Sequence, residues 1–248
     1  MSVLVVTGAT GGIGSEIVRR AREMGRRVAL IARDPARLEA LAAETGAAAY
    51  PCDVLDEARL KATVEQIAAD HGAPDGLAHA VGSIVLRPLH AVSLDDWRAA
   101  YEINATSAFL AIKGVVPHMM REKRGSIVLF STVAVQTGLQ NHETIGAAKG
   151  AIEGLTRSAA ISYARYNIRV NAIAPALTRS ELSRSLWSNE AMLQASVAMH
   201  PLGRIGEPAD IAAAALFALS DGAAWMTGQI VGVDGGLSAG VQPARTKL

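Results

Sequence analysis

The chain has 248 residues, with 24 Lys and Arg against 23 Asp and Glu, a formal net charge of +1 and half of its residues hydrophobic. That balance excludes a nucleic-acid or membrane-surface role driven by bulk charge, and no apolar run approaches the roughly 18 residues of a membrane span. The single cysteine, Cys52, excludes an internal disulfide framework and fits a reducing compartment. Residues 3–6 (Val-Leu-Val-Val) read as a first strand that begins almost at once, with no secretory leader, so a cytoplasmic protein is expected. A glycine-rich turn follows, then apolar positions at helical spacing over 13–24, with Gly25 at the helix end. Residues 28–31 form the next buried strand, and Asp34-Pro35 reads as the N-cap and first residue of a helix over 36–44. Further strands are expected at 47–50, 77–81, 127–130, 168–173 and 230–233, with helices over 57–71, 95–121, 147–164 and 209–218. The strands are continuous apolar runs, as in a sheet covered on both faces. Strand–helix alternation therefore predicts an α/β fold with a doubly wound parallel sheet. One long irregular region runs from about 175 to 208 and carries Leu182, Leu186, Trp187, Met192 and Met199 among polar residues. It reads either as a lid over a site or as a short helical excursion packed on the body.

The turn Thr7-Gly8-Ala9-Thr10-Gly11-Gly12-Ile13-Gly14 stands between the first strand and the first helix. Glycines there permit unusual backbone angles and the close approach of a phosphate, and the helix behind them offers free N–H groups and a positive dipole end. The spacing is not G-x-G-x-x-G, but the position after the first strand and before the first helix points to dinucleotide binding.

Several separated motifs, in order, resemble the short-chain dehydrogenases/reductases over essentially the whole chain. They are the glycine turn, Cys52-Asp53-Val54, Tyr101-Glu102-Ile103-Asn104, Arg169-Val170-Asn171-Ala172-Ile173-Ala174-Pro175, and Gly228-Gln229-Ile230-Val231-Gly232-Val233-Asp234-Gly235-Gly236. The resemblance implies one Rossmann-like domain over 1–248 with about seven strands and a substrate lid at about 175–208. It implies hydride transfer between a nicotinamide cofactor and a carbonyl, an alcohol or a related C=N or C=C group of a small molecule. It also implies cofactor contacts at Gly8, Thr10, Gly11, Gly12, Ile13, Gly14, Asp53, Val54, Ala80, Gly82, Lys149, Pro175, Thr178 and Ser180. A homo-oligomer, dimer or tetramer, joined through the helices at 95–121 and 147–164 and the last strand, is the corresponding expectation. No metal site, nucleic acid or membrane is expected.

The end of the second strand reads Ile31-Ala32-Arg33-Asp34-Pro35. A carboxylate at the tip would bind a ribose 2′-hydroxyl, whereas the guanidinium of Arg33 suits a 2′-phosphate. With Asp34 spent as a helix cap, NADP(H) is expected over NAD(H).

The family's proton donor is a tyrosine four residues before a lysine, with a serine about thirteen residues upstream and a helix asparagine nearby. Registered on Lys149, the tyrosine position is Ile145, the serine position is Thr132, and Asn104 is retained. No tyrosine lies between Tyr101 and Tyr163, and His79-Ala80-Val81-Gly82 replaces the family's Asn-Asn-Ala-Gly. Isoleucine has no ionisable proton to give. Two readings follow. In one, an enzyme uses a replacement donor: His142, or Thr132 and the Lys149 ammonium acting through water. In the other, the chain is a lapsed enzyme that binds the cofactor as a sensor or partner module. Each residue also has a plain structural reading: His142 as a solvated loop side chain, Lys149 as a cofactor-ribose contact, Thr132 as a strand end, and Asn104 as a buried amide serving backbone groups. The basic run Arg19, Arg20, Arg22, Arg26 and Arg27 reads as a solvated face, Trp97 and Trp225 as packing, and Trp187 with Met192 as lining of an apolar pocket.

Overall fold

The computed structural model describes residues 2–240; Met1 and 241–248 of the expected 1–248 unit lie outside the described residues. Seven strands, β1 (Val3–Thr7), β2 (Val28–Ala32), β3 (Ala48–Pro51), β4 (Pro74–His79), β5 (Gly125–Phe130), β6 (Ile168–Pro175) and β7 (Ile230–Val233), pair in parallel in the order β3-β2-β1-β4-β5-β6-β7. Around them in chain order run α1 (Gly12–Glu23), α2 (Pro35–Thr45), α3 (Glu57–His71), α4 (Leu94–Tyr101), α5 (Ser107–Glu122), α6 (Ala134–Thr137), α7 (Glu143–Tyr163), α8 (Glu190–Met199) and α9 (Pro208–Leu219).

Alternation along the buried strands builds two cores. Val3, Val5, Ile31, Leu77 and Ile127 face α3, α5 and α7. Leu4, Val6, Leu30, Ala78 and Val128 face α1, α2 and α9. A strand that is apolar on both faces has no solvent side, which is why the runs are continuous rather than alternating. Asp34 caps α2 as expected: its carboxylate accepts from Arg37 N at 3.1 Å, with Pro35 at the first position.

Two expectations are corrected, those for the 95–121 helix and Trp225, and two others are filled in. The helix predicted over 95–121 is α4 and α5 separated by a π-helical turn at Glu102–Thr106. Side chains compete there for ladder carbonyls: Asn104 Nδ2 donates to Ala100 O (2.9 Å) and Ser107 Oγ to Ile103 O (2.6 Å). The irregular 175–208 region contains a 3₁₀ turn at Arg184–Leu186 and the helix α8, capped by the Asn189 side chain. Trp225 is not packing but fully exposed. Within the basic run, Arg19, Arg20 and Arg26 pair with Glu44, Glu16 and Asp75.

Candidate active site

The register places Thr7 of β1 level with Ile31 of β2 and with His79 of β4. The strand order reverses between β1 and β4, so a crevice opens there beyond the carboxyl ends of the strands. Two glycines set its floor. Gly8 lies at φ +68°, and a Cβ on it would stand 2.5 Å from Ala80 O; a Cβ on Gly14 would overlap Gly8 O. Gly11 is the N-cap of α1, yet no side chain caps it and no carboxylate occupies the first turn. The free amides and positive dipole end of this helix are thus left for an anion. Ser180 closes over the turn, its Cβ 3.0 Å from where a Gly12 Cβ would be. These features fit a dinucleotide pyrophosphate.

At the neighbouring corner Ala32 ends β2, Arg33 is exposed, and Arg37 Nη2 reaches back to Thr10 O at 3.0 Å. Arg37 was not singled out from the sequence, although its i+4 spacing from Arg33 was a readable signal. Asp53 follows β3 and its carboxylate accepts from Leu55 N at 3.0 Å, while Val54 is buried beside it.

Behind the crevice stands His79, fully buried. Its Nδ1 lies 2.7 Å from Thr7 Oγ1 and its Nε2 3.0 Å from Ser107 Oγ. Because Ser107 gives its own hydrogen to Ile103 O, its oxygen accepts from His79 Nε2–H, and Thr7 then donates to Nδ1. This neutral ring links the ends of β1 and β4 to the π turn. Burial, with Lys149 nearby, pushes its pKa down to about 3.

A cavity of about 470 Å³ opens on the same edge. It brings together ten of the predicted residues: Ile13, Ala80, Gly82, Asn104, Thr132, His142, Lys149, Pro175, Thr178 and Ser180. Gly8, Thr10, Gly11, Gly12, Gly14, Arg33, Asp53 and Val54 lie outside it. Lys149 and Ile145 sit one turn apart on α7 and both line the cavity. The Lys149 ammonium has no hydrogen-bond partner among the described residues, and burial lowers its pKa to about 8. A Cβ on Gly82 would be 2.9 Å from Asn104 Oδ1 and 3.4 Å from Lys149 Nζ, so both groups crowd one stretch of backbone. The Asn104 amide is engaged with Ser83 (N to Oδ1, 3.2 Å; Nδ2 to Oγ, 3.0 Å) and Ala100 O. Thr132 Oγ1 makes only long contacts, 3.4 Å to Pro175 O and 3.3 Å from Ala134 N. His142 stands at the N-cap of α7, which begins four residues earlier than predicted, with Nδ1 2.7 Å from Gln140 O.

Trp187 does not line the cavity, contrary to expectation; it stacks against Arg179 (4.7 Å) and donates to Ser180 O. Met192 does line it, as do Met199 and His200. His79 and His200 were both missed as site elements, because a histidine's partners cannot be read from its sequence neighbours. The buried pair Ser131–Glu153 (3.0 Å), with Arg157 on the other carboxylate oxygen, fixes α7 against the end of β5 and was likewise missed.

Residues 8–238 match a family model described as enoyl-(acyl carrier protein) reductase. The chain is 39% identical over 229 residues to an "inactive 2-(S)-hydroxypropyl-CoM dehydrogenase 2" of Xanthobacter autotrophicus, covering 90% of this chain and all of that one. It is 38% identical to a 2,5-dichloro-2,5-cyclohexadiene-1,4-diol dehydrogenase of Sphingobium indicum, over 95% of this chain and 96% of that one. A solved short-chain type dehydrogenase/reductase from Mycobacterium ulcerans superimposes with a TM-score of 0.92 at 28% identity, over 96% of this chain and 90% of that one. The seven-stranded parallel sheet, the uncapped glycine turn and this kinship give one conclusion: the chain belongs to the short-chain dehydrogenase/reductase family of oxidoreductase enzymes.

Proposed function

We propose that this chain is an NADP(H)-dependent oxidoreductase acting on a carbonyl or alcohol of a small molecule, with Lys149 in place of a tyrosine as the proton-bearing group. The observation that carries this reading is the Lys149 ammonium: buried, without a partner, its pKa near 8, on the wall of a largely apolar cavity one turn from Ile145. A bound nicotinamide would supply the hydride exchanged with the substrate carbon. The amides of the glycine turn and the start of α1 hold the pyrophosphate. Arg33, with Arg37 behind it, takes the 2′-phosphate, because Ala32 offers no carboxylate and Asp34 is engaged as a cap. As the carbonyl carbon is reduced, its oxygen gains the π pair; Lys149 Nζ gives it a proton, and the resulting amine recovers one from solvent. Thr132 Oγ1, only loosely engaged, orients that oxygen, and His142 borders it at the mouth. Asn104 holds the 80–83 segment against Lys149 as a positioning residue. Residues 1–248 act as one domain in this reading, with 175–208 as its substrate lid. Exposed Phe109 on α5, Ile161 on α7 and Trp225 support assembly as a homo-oligomer, which light scattering on the purified chain tests.

The test is NADPH consumption with a panel of ketones, imines and activated alkenes, in the native chain and in Lys149→Met. Turnover in the native chain that disappears in the variant supports the reading; equal turnover in both overturns the assignment of Lys149. Ile145 and the relative named as inactive favour a second reading, in which NADP(H) binding persists without chemistry. Tight NADPH binding without turnover, with ketone reduction appearing only in Ile145→Tyr, would select it.

A further inference from the structure

Besides the Lys149 ammonium at the cavity wall, two buried side-chain atoms lack a hydrogen-bond partner among the described residues: Thr144 Oγ1 and His200 Nε2. Thr144 does not line the cavity; His200 does, and it is only 1% exposed. Its ring lies at the C-terminal end of α8, held on one side by Ser196, whose carbonyl oxygen is 2.6 Å from Nδ1. On the other side it packs on Gly235, where a Cβ would be 3.6 Å from His200 Cδ2. A carbonyl only accepts, so Nδ1 carries the hydrogen, and in the neutral ring Nε2 presents a lone pair. The nearby carboxylate of Asp234 is already engaged by Gly236 N, Ser238 N and Ser238 Oγ. A buried acceptor left unpaired is disfavoured, so the position calls for a donor from whatever fills the cavity.

The helix bearing His200 supports the same view. None of the residues of α8 is buried, yet Met192, Ala195 and Met199, at i, i+3 and i+7, line the cavity. Its apolar face therefore lies against the cavity instead of the protein core. The cavity thus has an apolar wall with a polar group at each of two separate places, Lys149 on α7 and His200 after α8. We infer that His200 Nε2 accepts a hydrogen bond from a second hydroxyl of the substrate, away from the reacting carbon. The substrate class is then a compact, mostly apolar hydroxyketone or the corresponding diol. This inference rests on the proposal that the cavity takes the substrate.

The probes are cyclohexanone and the 2-, 3- and 4-hydroxycyclohexanones, added to native chain labelled with 15N at histidine; the His200 signal is identified by its absence from His200→Phe. We expect at least one hydroxyketone to shift the Nε2 resonance and to bind about threefold to tenfold more tightly than cyclohexanone, the span of one neutral hydrogen bond. In His200→Phe that preference falls to about one, and His200→Gln, which keeps a donor for Ser196 and an acceptor for the ligand, retains part of it. A merely structural histidine would lower affinity for all four ketones alike and leave their ratio unchanged. Equal affinity of the native chain for all four, with an unmoved Nε2 resonance, overturns the inference. The relative affinities of the four ketones are read on the native chain alone, so an unstable variant leaves that measurement intact. Failure to bind NADPH would instead sink the oxidoreductase reading, and the two failures stay distinguishable.

Discussion

The two ends of the crevice are built from different materials. At the glycine end the wall is main chain: Gly8 against Ala80 O, Gly14 against Gly8 O, an uncapped helix start, and three strand ends held in register by β pairing and by His79. At the α8 end the wall is side chains carried by a helix with no buried residue of its own. Main-chain geometry held by a buried sheet is preorganised, so the first site exists before any ligand arrives. A helix whose apolar face meets only a cavity is completed by what enters it. Under the proposed function, the first end holds the cofactor and the second is free to choose the substrate.

Substitutions can break or sharpen this contrast. The largest effect is expected for Lys149→Met, which should lower carbonyl reduction by about 10²–10⁴-fold, the usual worth of a positioned general acid. The same change should stabilise the fold by about 1–3 kcal/mol in thermal melts near neutral pH, because the native chain holds a desolvated ammonium there. In the native chain, reduction requires the protonated amine, so kcat/KM should fall as pH rises through about 8, and alcohol oxidation should rise through the same range.

His79 tests the rigid half next. Its folded pKa is about 3, below the unfolded value, so between pH 6.5 and 3 the unfolded chain binds the extra proton. Stability should therefore decline as pH drops through that window, by at most on the order of 5 kcal/mol. His79→Asn should make the decline shallower; denaturant melts at pH 7 and pH 4 measure both.

Gly8→Ala should cost about 3 kcal/mol, from the left-handed backbone and the contact with Ala80 O together, and weaken NADPH binding at least tenfold. Calorimetry and thermal melts read the two effects. Arg33→Ala is the mildest: about a tenfold loss of NADPH affinity with NADH unchanged, seen in parallel titrations.

Much of this was legible in the chain before any coordinates. Asp34-Pro35 announces a helix start, and Thr7 to Gly14 announces a tight glycine turn between β1 and α1, because both signals are local. β1, β2 and β5 stand out because burial on two faces leaves their runs almost wholly apolar. The π turn was hidden, since it depends on Ser107 and Asn104 drawing carbonyls out of an otherwise ordinary helical pattern. A short helix in the 175–208 region was one of two readings, but the sequence left open where α8 runs and that its apolar stripe meets a cavity, although Asn189 was a readable cap. Trp225 looked like packing and is exposed, since composition says nothing about which face of an element another layer covers.

What the order of residues settled unaided is the succession of most strands and helices and the glycine turn before α1, since each rests on neighbours within a few positions. What folding alone settled is which polar groups meet and which are left without company. His79 finds Thr7 across 72 residues and Ser107 across 28, while Lys149 and His200 Nε2 find no protein partner among the described residues. Hydrogen bonds form between atoms close in space, and closeness in space across such separations is created only when the sheet assembles.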